Sequence, residues 1–161
     1  MSPSTPAREA GADADAVTDA VLAASRMLMG LSARSIAAVD DTITLPQFRL
    51  LVVLDGRGPL KLTAIAGALG VNPSTATRMV DRLVTTGRIS REPNPASRRE
   101  LVVDLTASGR ALVRDVMRRR RALINRIVSG MTPTARRNLV RALGAFTAAG
   151  GEPPNGAATW L

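Results

Sequence analysis

The sequence has 161 residues and contains neither cysteine nor histidine. Disulfide bonds, thiol redox chemistry and metal sites built from Cys and His are therefore excluded. The same absence removes the commonest general base and the thiol nucleophile of enzymes. Acidic residues are few and scattered, and the sequence has no Gly-rich phosphate loop. We therefore expect no enzymatic activity, no metal and no cofactor.

Aromatic residues make up 2% of the chain, whereas hydrophobic residues as a whole make up 45%. The core must therefore be aliphatic, which favours helices packed on helices over a β-sandwich. No apolar run reaches the roughly 20 residues that a membrane-spanning helix needs. The N-terminal segment also lacks the apolar stretch of a secretory signal. We expect a cytoplasmic protein that does not contact a membrane.

Acidic side chains are outnumbered by basic ones, with 13 Asp and Glu against 22 Lys and Arg. The formal net charge is +9 at neutral pH, and the sequence pI is near 11.7. A positive charge of this size is typical of proteins with a polyanionic partner, of which nucleic acid is the first candidate. The alternative is a basic surface that serves solubility alone.

The segment from Thr63 to Thr86 predicts two helices joined by a tight turn. Thr63 is placed to cap the first helix, and Gly70 is placed to end it in the left-handed conformation. Asn72 is a strong N-cap, and Pro73 suits the first turn of a second helix. This order is typical of a helix-turn-helix that enters a DNA groove.

The second helix of this segment has two chemically different faces. Ala76, Val80 and Leu83 recur at helical spacing and should be buried. The opposite face carries hydroxyl and arginine side chains, namely Ser74, Thr75, Thr77, Arg78 and Arg82. Hydroxyl groups suit phosphate contacts, and arginine forks suit guanine edges. The alternative is an ordinary helical hairpin with a polar outer face.

Two short strands are predicted after this segment, over residues 88–92 and 100–105. They are joined by a basic, turn-rich loop over residues 93–99, which carries Arg98 and Arg99. Arginines at such a tip are suited to the narrow, electronegative minor groove of DNA. The alternative is a hairpin that only covers the core. The stretch from Lys61 to Arg99 contains seven basic residues and two acidic ones, so the predicted DNA-facing unit is itself basic.

Long amphipathic helices are predicted on both sides of this unit. Thr44 and Gln47 are predicted to form a capping box, which starts a new helix after the first of these long helices. The apolar seams of the flanking helices exceed what one small core needs, which predicts dimerisation through them. The predicted organisation is a disordered arm (1–15), a dimerisation helix (16–43), a DNA-binding domain (44–105), dimerisation helices (106–149) and a flexible tail (150–161).

Three stretches carry a resemblance to a known family: LPQFRLLVVLDGRGPLKLTAIAGALGV, NPSTATRMVDRLVTTGRISREPNP and SRRELVVDLTASGR. Together with the order of elements, they resemble the MarR family of bacterial transcriptional regulators. The resemblance covers about Val17 to Ala149. It implies a mainly α fold, in which a winged helix-turn-helix with a two-stranded β-wing joins an all-helical dimerisation region formed by both chain ends.

The resemblance also implies a function. A homodimer would bind a pseudo-palindromic operator in double-stranded DNA, with repression as the commoner mode, and a small anionic or phenolic ligand would release it. Major-groove contacts would come from the outer face of the second helix, and the minor-groove contact from Arg98 or Arg99. Thr63 and Asn72, at helix N-termini, become candidate phosphate contacts.

The chain departs from the family pattern at Ser97, where the wing usually carries an aspartate that orients an arginine. Two alternatives follow: the wing tip is looser than in the family pattern, or Glu92 or Glu100 holds it instead. The absence of cysteine separates the chain from the thiol-based peroxide sensors of the family.

A ligand site is expected between the first helix, the helix that contains Phe48 and the start of the long helix. Arg49 would balance an anion there, with Met27, Leu31 and Val113 as walls. The alternative is that Arg49 lies on the surface and the other three belong to the core.

Two other functions stay open at this point. One is a nonspecific architectural DNA-binding protein, and the other is a winged-helix module that binds protein instead of DNA. The salt dependence and the sequence preference of DNA binding separate these possibilities.

Overall fold

The computed structural model describes residues 5–94 and 97–151, with side chains described over residues 13–94 and 101–151. Over these ranges the chain forms six helices and one two-stranded sheet. Their bounds are α1 (Thr5–Ala37), α2 (Leu45–Arg57), α3 (Leu62–Leu69), α4 (Pro73–Thr85), β1 (Ile89–Asn94), β2 (Ser97–Leu105), α5 (Ala107–Ser129) and α6 (Pro133–Ala149). This confirms the mainly α fold with a two-stranded wing.

Short polar side chains start four of the helices, as their local sequences predict. Thr44 and Gln47 form the capping box of α2, with each side chain bonded to the backbone of the other residue. Asn72, Thr106 and Thr132 cap α4, α5 and α6 through their side-chain oxygens. These caps fix where each helix begins and therefore which of its faces turns inward.

The start of α3 differs from the prediction. Lys61 occupies the N-cap position and makes no side-chain capping bond, and Thr63 is the second residue of the helix. The helix therefore begins before the hydroxyl that was expected to cap it. Its packing against α2 and α4 outweighs the cap preference, because Ile65, Ala66 and Leu69 are buried there.

The core is aliphatic, as the composition predicts, and it is centred on α2. Leu50, Leu51 and Leu54 of that helix are completely buried. The core also takes in α3, α4, the wing, the C-terminal end of α1 and the first half of α5. The winged unit, which comprises α2, α3, α4 and the two strands, thus shares one packed interior with the long helices α1 and α5. This packing fixes the direction in which the outer face of α4 points.

The wing is longer, and its loop shorter, than the sequence predicts. The strands pair antiparallel from Ile89 with Leu105 to Pro93 with Leu101, and the register shifts after Pro93. The predicted loop over residues 93–99 is therefore wrong, since Pro93 and Asn94 belong to β1 and residues 97–99 to β2. A two-stranded sheet has only edge strands, and an edge strand tolerates proline because the missing N–H costs no ladder bond.

The boundaries of the flanking segments also differ from the prediction. Helix α1 begins at Thr5, inside the segment expected as a disordered arm, and it ends at Ala37. Residues 1–4 and most of the predicted tail, from residue 152, lie outside the described part of the chain. The dimerisation helix expected over residues 16–43 therefore corresponds to the larger part of α1 and the turn that follows it.

Apolar side chains remain uncovered on both long ends of the chain. Helix α6 has no buried residue, and Val140, Leu143 and Phe146 are each more than half exposed. Helix α1 exposes Val17, Leu22 and Met29 in the same way. Val17 on α1 and Val140, Leu143 and Phe146 on α6 belong to the seams for which the sequence predicts a partner.

One segment meets the length and composition test for a membrane span, which corrects the expectation that none would. It is the 25-residue stretch Asp13–Ala37 of α1. The same test is passed by helices of soluble proteins. At its C-terminal end, Leu31, Ser35 and Ile36 are buried in the protein, so this end of α1 packs against the rest of the chain.

Candidate nucleic-acid interface

Helices α3 and α4 are joined by a tight turn of the predicted kind. Gly70 has a φ of 66° in the left-handed region, and its N–H donates to backbone oxygens of α3. Val71 follows and packs against the core. The side chain of Asn72 then accepts from the backbone N–H of Thr75 at 2.9 Å and starts α4. The turn therefore sets α4 across α3 in a helix-turn-helix.

The two faces of α4 separate as the sequence predicts. Ala76, Val80 and Leu83 are completely buried against the core. On the outer face, Ser74, Arg78 and Arg82 are exposed, whereas Thr75 and Thr77 are half-buried. The structure thus brings all five predicted recognition residues onto one helix, with the two arginines projecting into solvent.

The polar side chains on the outer face of α4 differ in the hydrogen bonds that they make. Thr77 Oγ1 donates to the backbone oxygen of Pro73 at 2.9 Å, so its hydroxyl is turned towards its own helix. Ser74 Oγ donates to Asn72 Oδ1 at 2.8 Å, which adds to the capping bond on the same oxygen. The side-chain oxygen of Asn72 is therefore used in the cap, and its side-chain NH2 group is left to donate to a phosphate.

The two exposed arginines differ in their restraint. Arg78 Nη2 lies 3.4 Å from Thr75 Oγ1, which orients its guanidinium along the helix. Arg82 makes no side-chain hydrogen bond or ion pair with a described residue. Arg78 is therefore the better held of the two and the better placed to present a fixed fork to a base.

An ion pair that the sequence analysis missed joins α4 to the wing. Arg91 of β1 donates from Nη2 to Asp81 Oδ1 of α4. The pair joins the wing strand to the helix. Of the two residues expected to hold the wing tip, Glu92 accepts from Ser90 Oγ at 3.1 Å through its Oε1, and the side chain of Glu100 lies outside the described part of the chain. The packing of β1 against α4 brings residues 81 and 91 together.

The remaining predicted DNA contacts are less well defined. Arg98 and Arg99 lie in β2 by their backbone, and their side chains are outside the described part of the chain. Thr63 is exposed in the first turn of α3, where its hydroxyl can still face a phosphate.

The chain is similar in sequence to known transcriptional regulators. The model of the MarR family matches residues 43–101, from the turn before α2 into β2. The HTH-type transcriptional regulator ML2140 of Mycobacterium leprae is 30% identical over 118 residues, which cover 73% of this chain and 80% of that protein. The chain belongs to the MarR family. It is therefore a member of a family of DNA-binding transcriptional regulators, which are not enzymes.

Two further proteins are similar to this chain. The crystal structure of Rv1404 from Mycobacterium tuberculosis has 56% identity and a TM-score of 0.81, covering 86% of this chain and 94% of that one. The HTH-type transcriptional repressor MdtR of Bacillus subtilis is 34% identical over 90 residues, which cover 56% of this chain and 58% of MdtR. The chain spans about half the length of several curated relatives that it matches.

This MarR-family chain also has a cavity of about 350 Å³ between α1, α2 and α5. Its walls are mainly apolar, and two arginines contribute to them. The lining residues are Met29, Ser32, Leu45, Phe48, Arg49, Val52, Val116, Met117 and Arg120. The cavity lies where the sequence analysis expected a ligand site.

The residues that line the cavity correct the predicted set. Arg49 lines it as expected, and its Nε is buried without a hydrogen-bond acceptor among the described residues. Leu31 and Val113 are instead buried in the core, and Met27 is 45% exposed and does not line the cavity. From α1, the cavity takes Met29 and Ser32 instead.

Arg120 is a cavity residue that the sequence analysis missed. It lies in a run of four arginines, residues 118–121, where a solvated side chain is the ordinary expectation, yet burial lowers its pKa and it lines the cavity. A signal was available, because Arg120 follows the buried Val113 and Val116 at helical spacings of seven and four residues.

Proposed function

We propose that the protein is a cytoplasmic, sequence-specific DNA-binding repressor of transcription that acts as a homodimer on a pseudo-palindromic operator. The observation that carries the proposal is the outer face of α4, where Ser74, Arg78 and Arg82 are exposed on a helix anchored by a buried apolar face. Such a helix can lie in the major groove with its N-terminal half on base edges.

The uncovered helices support the dimer. Large apolar residues of α6 and of α1 face solvent in a single chain, and apolar surface of this kind is typical of an interface. A second copy provides the matching apolar surface under two-fold symmetry. Two recognition helices about 34 Å apart would then read successive major grooves on one side of the DNA.

The cavity supports control by a small molecule. An apolar space with two guanidinium groups fits an anion that has an apolar body, such as an aromatic carboxylate. The unbonded Nε of Arg49 is a donor for such an anion. The cavity lies between the winged unit and the long helices. A bound molecule would therefore change how the winged unit is placed on these helices.

Selection of genomic fragments tests the DNA-binding proposal. The purified protein is mixed with sheared genomic DNA at two salt concentrations, and the bound fragments are sequenced. We expect a few fragments that share an inverted repeat, recovered more weakly at high salt because phosphate contacts release counterions. Bulk DNA at low salt and none at high salt would instead indicate an architectural protein. Absence of binding at both concentrations would favour a protein-interaction module.

Benzoate, a small apolar anion, tests the ligand site. We expect benzoate to release operator DNA from the wild-type protein and from Arg57→Ala, which removes an exposed arginine from the last turn of α2. Arg49→Ala should respond at least about tenfold more weakly, since a hydrogen bond to a charged group contributes about 1.5–3 kcal/mol. Neutral benzamide should release little DNA from any of them. Equal release from Arg49→Ala and wild type would rule out the site.

A further inference from the structure

Arg88 joins three separate segments of the chain, and none of the roles described above uses it. It lies between α4 and β1, directly after Gly87. Its Nη2 donates to Asp40 Oδ2 at 2.6 Å in the turn between α1 and α2, and its Nη1 donates to Ser108 Oγ at 2.6 Å in the first turn of α5. One guanidinium therefore ties the base of the wing to both long helices.

Asp40 is held rigidly to receive this bond. Its Oδ1 accepts from the hydroxyl of Thr42 at 2.6 Å and from the backbone N–H of Thr42 at 3.0 Å. The Thr42 hydroxyl, the Thr42 backbone and Arg88 together hold the pKa of Asp40 below its ordinary value, although burial acts in the opposite direction. The carboxylate is therefore charged at neutral pH, with both of its oxygens occupied.

The backbone of Arg88 is clamped at the same place. Its carbonyl oxygen accepts from the backbone N–H of Thr106 at 3.1 Å. The Thr106 hydroxyl lies 3.1 Å from the same oxygen and makes its shorter bond, 2.7 Å, to the backbone oxygen of Gly87. Gly109 approaches so closely that a Cβ on it would lie 2.0 Å from that oxygen. The side chain and the main chain of Arg88 thus fix the base of the wing on the start of α5.

We propose that Arg88 is a positioning residue, which with Asp40 fixes the orientation of the winged unit on α1 and α5 and so sets the spacing between the two recognition helices of the dimer. The inference rests on the proposed function. Both half-sites are contacted at once only if the two winged units are held at the correct separation. A winged unit that moves relative to its long helices must lose this freedom when DNA binds. The loss of conformational entropy lowers the affinity for DNA.

The partial burial of the pair argues against direct contact with DNA. The side chains of Arg88 and Asp40 are 26% and 13% exposed. Both terminal nitrogens of Arg88 already have acceptors within the protein. Its effect on DNA must therefore pass through the placement of the wing and α4.

Asp40→Asn tests the inference, with Asp41→Asn as its matched control. The two variants remove the same charge from adjacent positions, but Asp41 is exposed and bonds to no described side chain or backbone group through its own side chain. Electrostatics alone would leave DNA binding equal or tighter in both. We expect Asp40→Asn to bind the full operator about tenfold more weakly, because a hydrogen bond between charged groups contributes roughly a factor of ten to an equilibrium constant. Asp41→Asn should bind the full operator as wild type does.

Arg88→Gln and the double variant complete the design. Arg88→Gln should lose at least as much affinity as Asp40→Asn, because it also removes the bond to Ser108 and one positive charge. The double variant should lose no more than Arg88→Gln does, because the pair with Asp40 is broken in all three. Affinity for a single half-site should stay at the wild-type value, since only one recognition helix is engaged there. The variants should also discriminate less against an operator with one extra central base pair.

The outcomes separate the possible failures. If Asp40→Asn binds the full operator as tightly as Asp41→Asn does, the inference is wrong. Equal losses on the full operator and on the half-site would also overturn it, because they indicate local damage to the recognition surface. If the wild-type protein shows no preference for any sequence, the proposed function itself fails, and the inference fails with it.

Discussion

Gly109→Ala is expected to lower the free energy of unfolding by about 3 kcal/mol, at the upper end of the usual cost of overpacking a core. The added Cβ would lie 2.0 Å from the backbone oxygen of Arg88 and 3.1 Å from Leu105 Cδ2. The backbone oxygen cannot move aside cheaply, because it accepts from the backbone N–H of Thr106, whose hydroxyl also bonds the neighbouring backbone oxygen of Gly87. Either those bonds or the start of α5 must shift.

Gly67→Ala is the matched control for this prediction. Gly67 lies inside α3, and a Cβ on it would have no atom within 4 Å. Alanine there should raise the free energy of unfolding by about 0.5–1 kcal/mol through its better helix propensity. Urea unfolding followed by circular dichroism at one protein concentration measures both variants. A gain in stability for both would mean that Gly109 is not in close contact with the wing base.

Local signals predict much of the fold. The predicted caps at Thr44 and Asn72 depend on residues within one helical turn, and both are found. The buried face of α4 follows from residue spacing alone. The failure at Thr63 has a physical reason, since tertiary packing of α3 determined its start.

The charged contacts could not be predicted in the same way. Arg88 and Asp40 are 48 residues apart in the sequence, and Arg91 and Asp81 are ten residues apart on different elements. No local pattern pairs such residues, because their distance depends on how α1, α4 and the wing pack together. In a chain with 22 basic and 13 acidic residues, many pairings are compatible with the sequence.

The candidate site was predicted in part for the same reasons. The DNA-facing residues of α4 share one helix, so periodicity alone groups them. The cavity takes residues from three helices, and a shift of two positions along α1 replaces Met27 with Met29 as a wall. A surface formed by one element can be predicted from a sequence, whereas a cavity between elements needs their relative placement.

Arg78→Ala is expected to cost about 1–3 kcal/mol of operator binding and to relax the sequence preference at one base pair. Arg78 is exposed on the outer face of α4. Thr75 supports its guanidinium at 3.4 Å, which keeps the fork oriented for a bidentate contact with guanine. Binding to libraries randomised at each position of the selected operator, measured for wild type and variant, gives both the affinity and the preference.

Two other arginines serve as references for Arg78. Arg114→Ala removes an exposed arginine from α5, away from α4, and should leave operator binding close to wild type. Arg82→Ala, which loses a side chain without a partner among the described residues, should weaken all sequences by a similar factor and reduce the salt slope by about 1, as for a phosphate contact. If Arg78→Ala gave this uniform pattern instead, Arg78 would also be a phosphate contact. Specificity would then have to come from other groups on the same face or from the shape of the DNA, since the placement of α4 in the groove alone carries no sequence information.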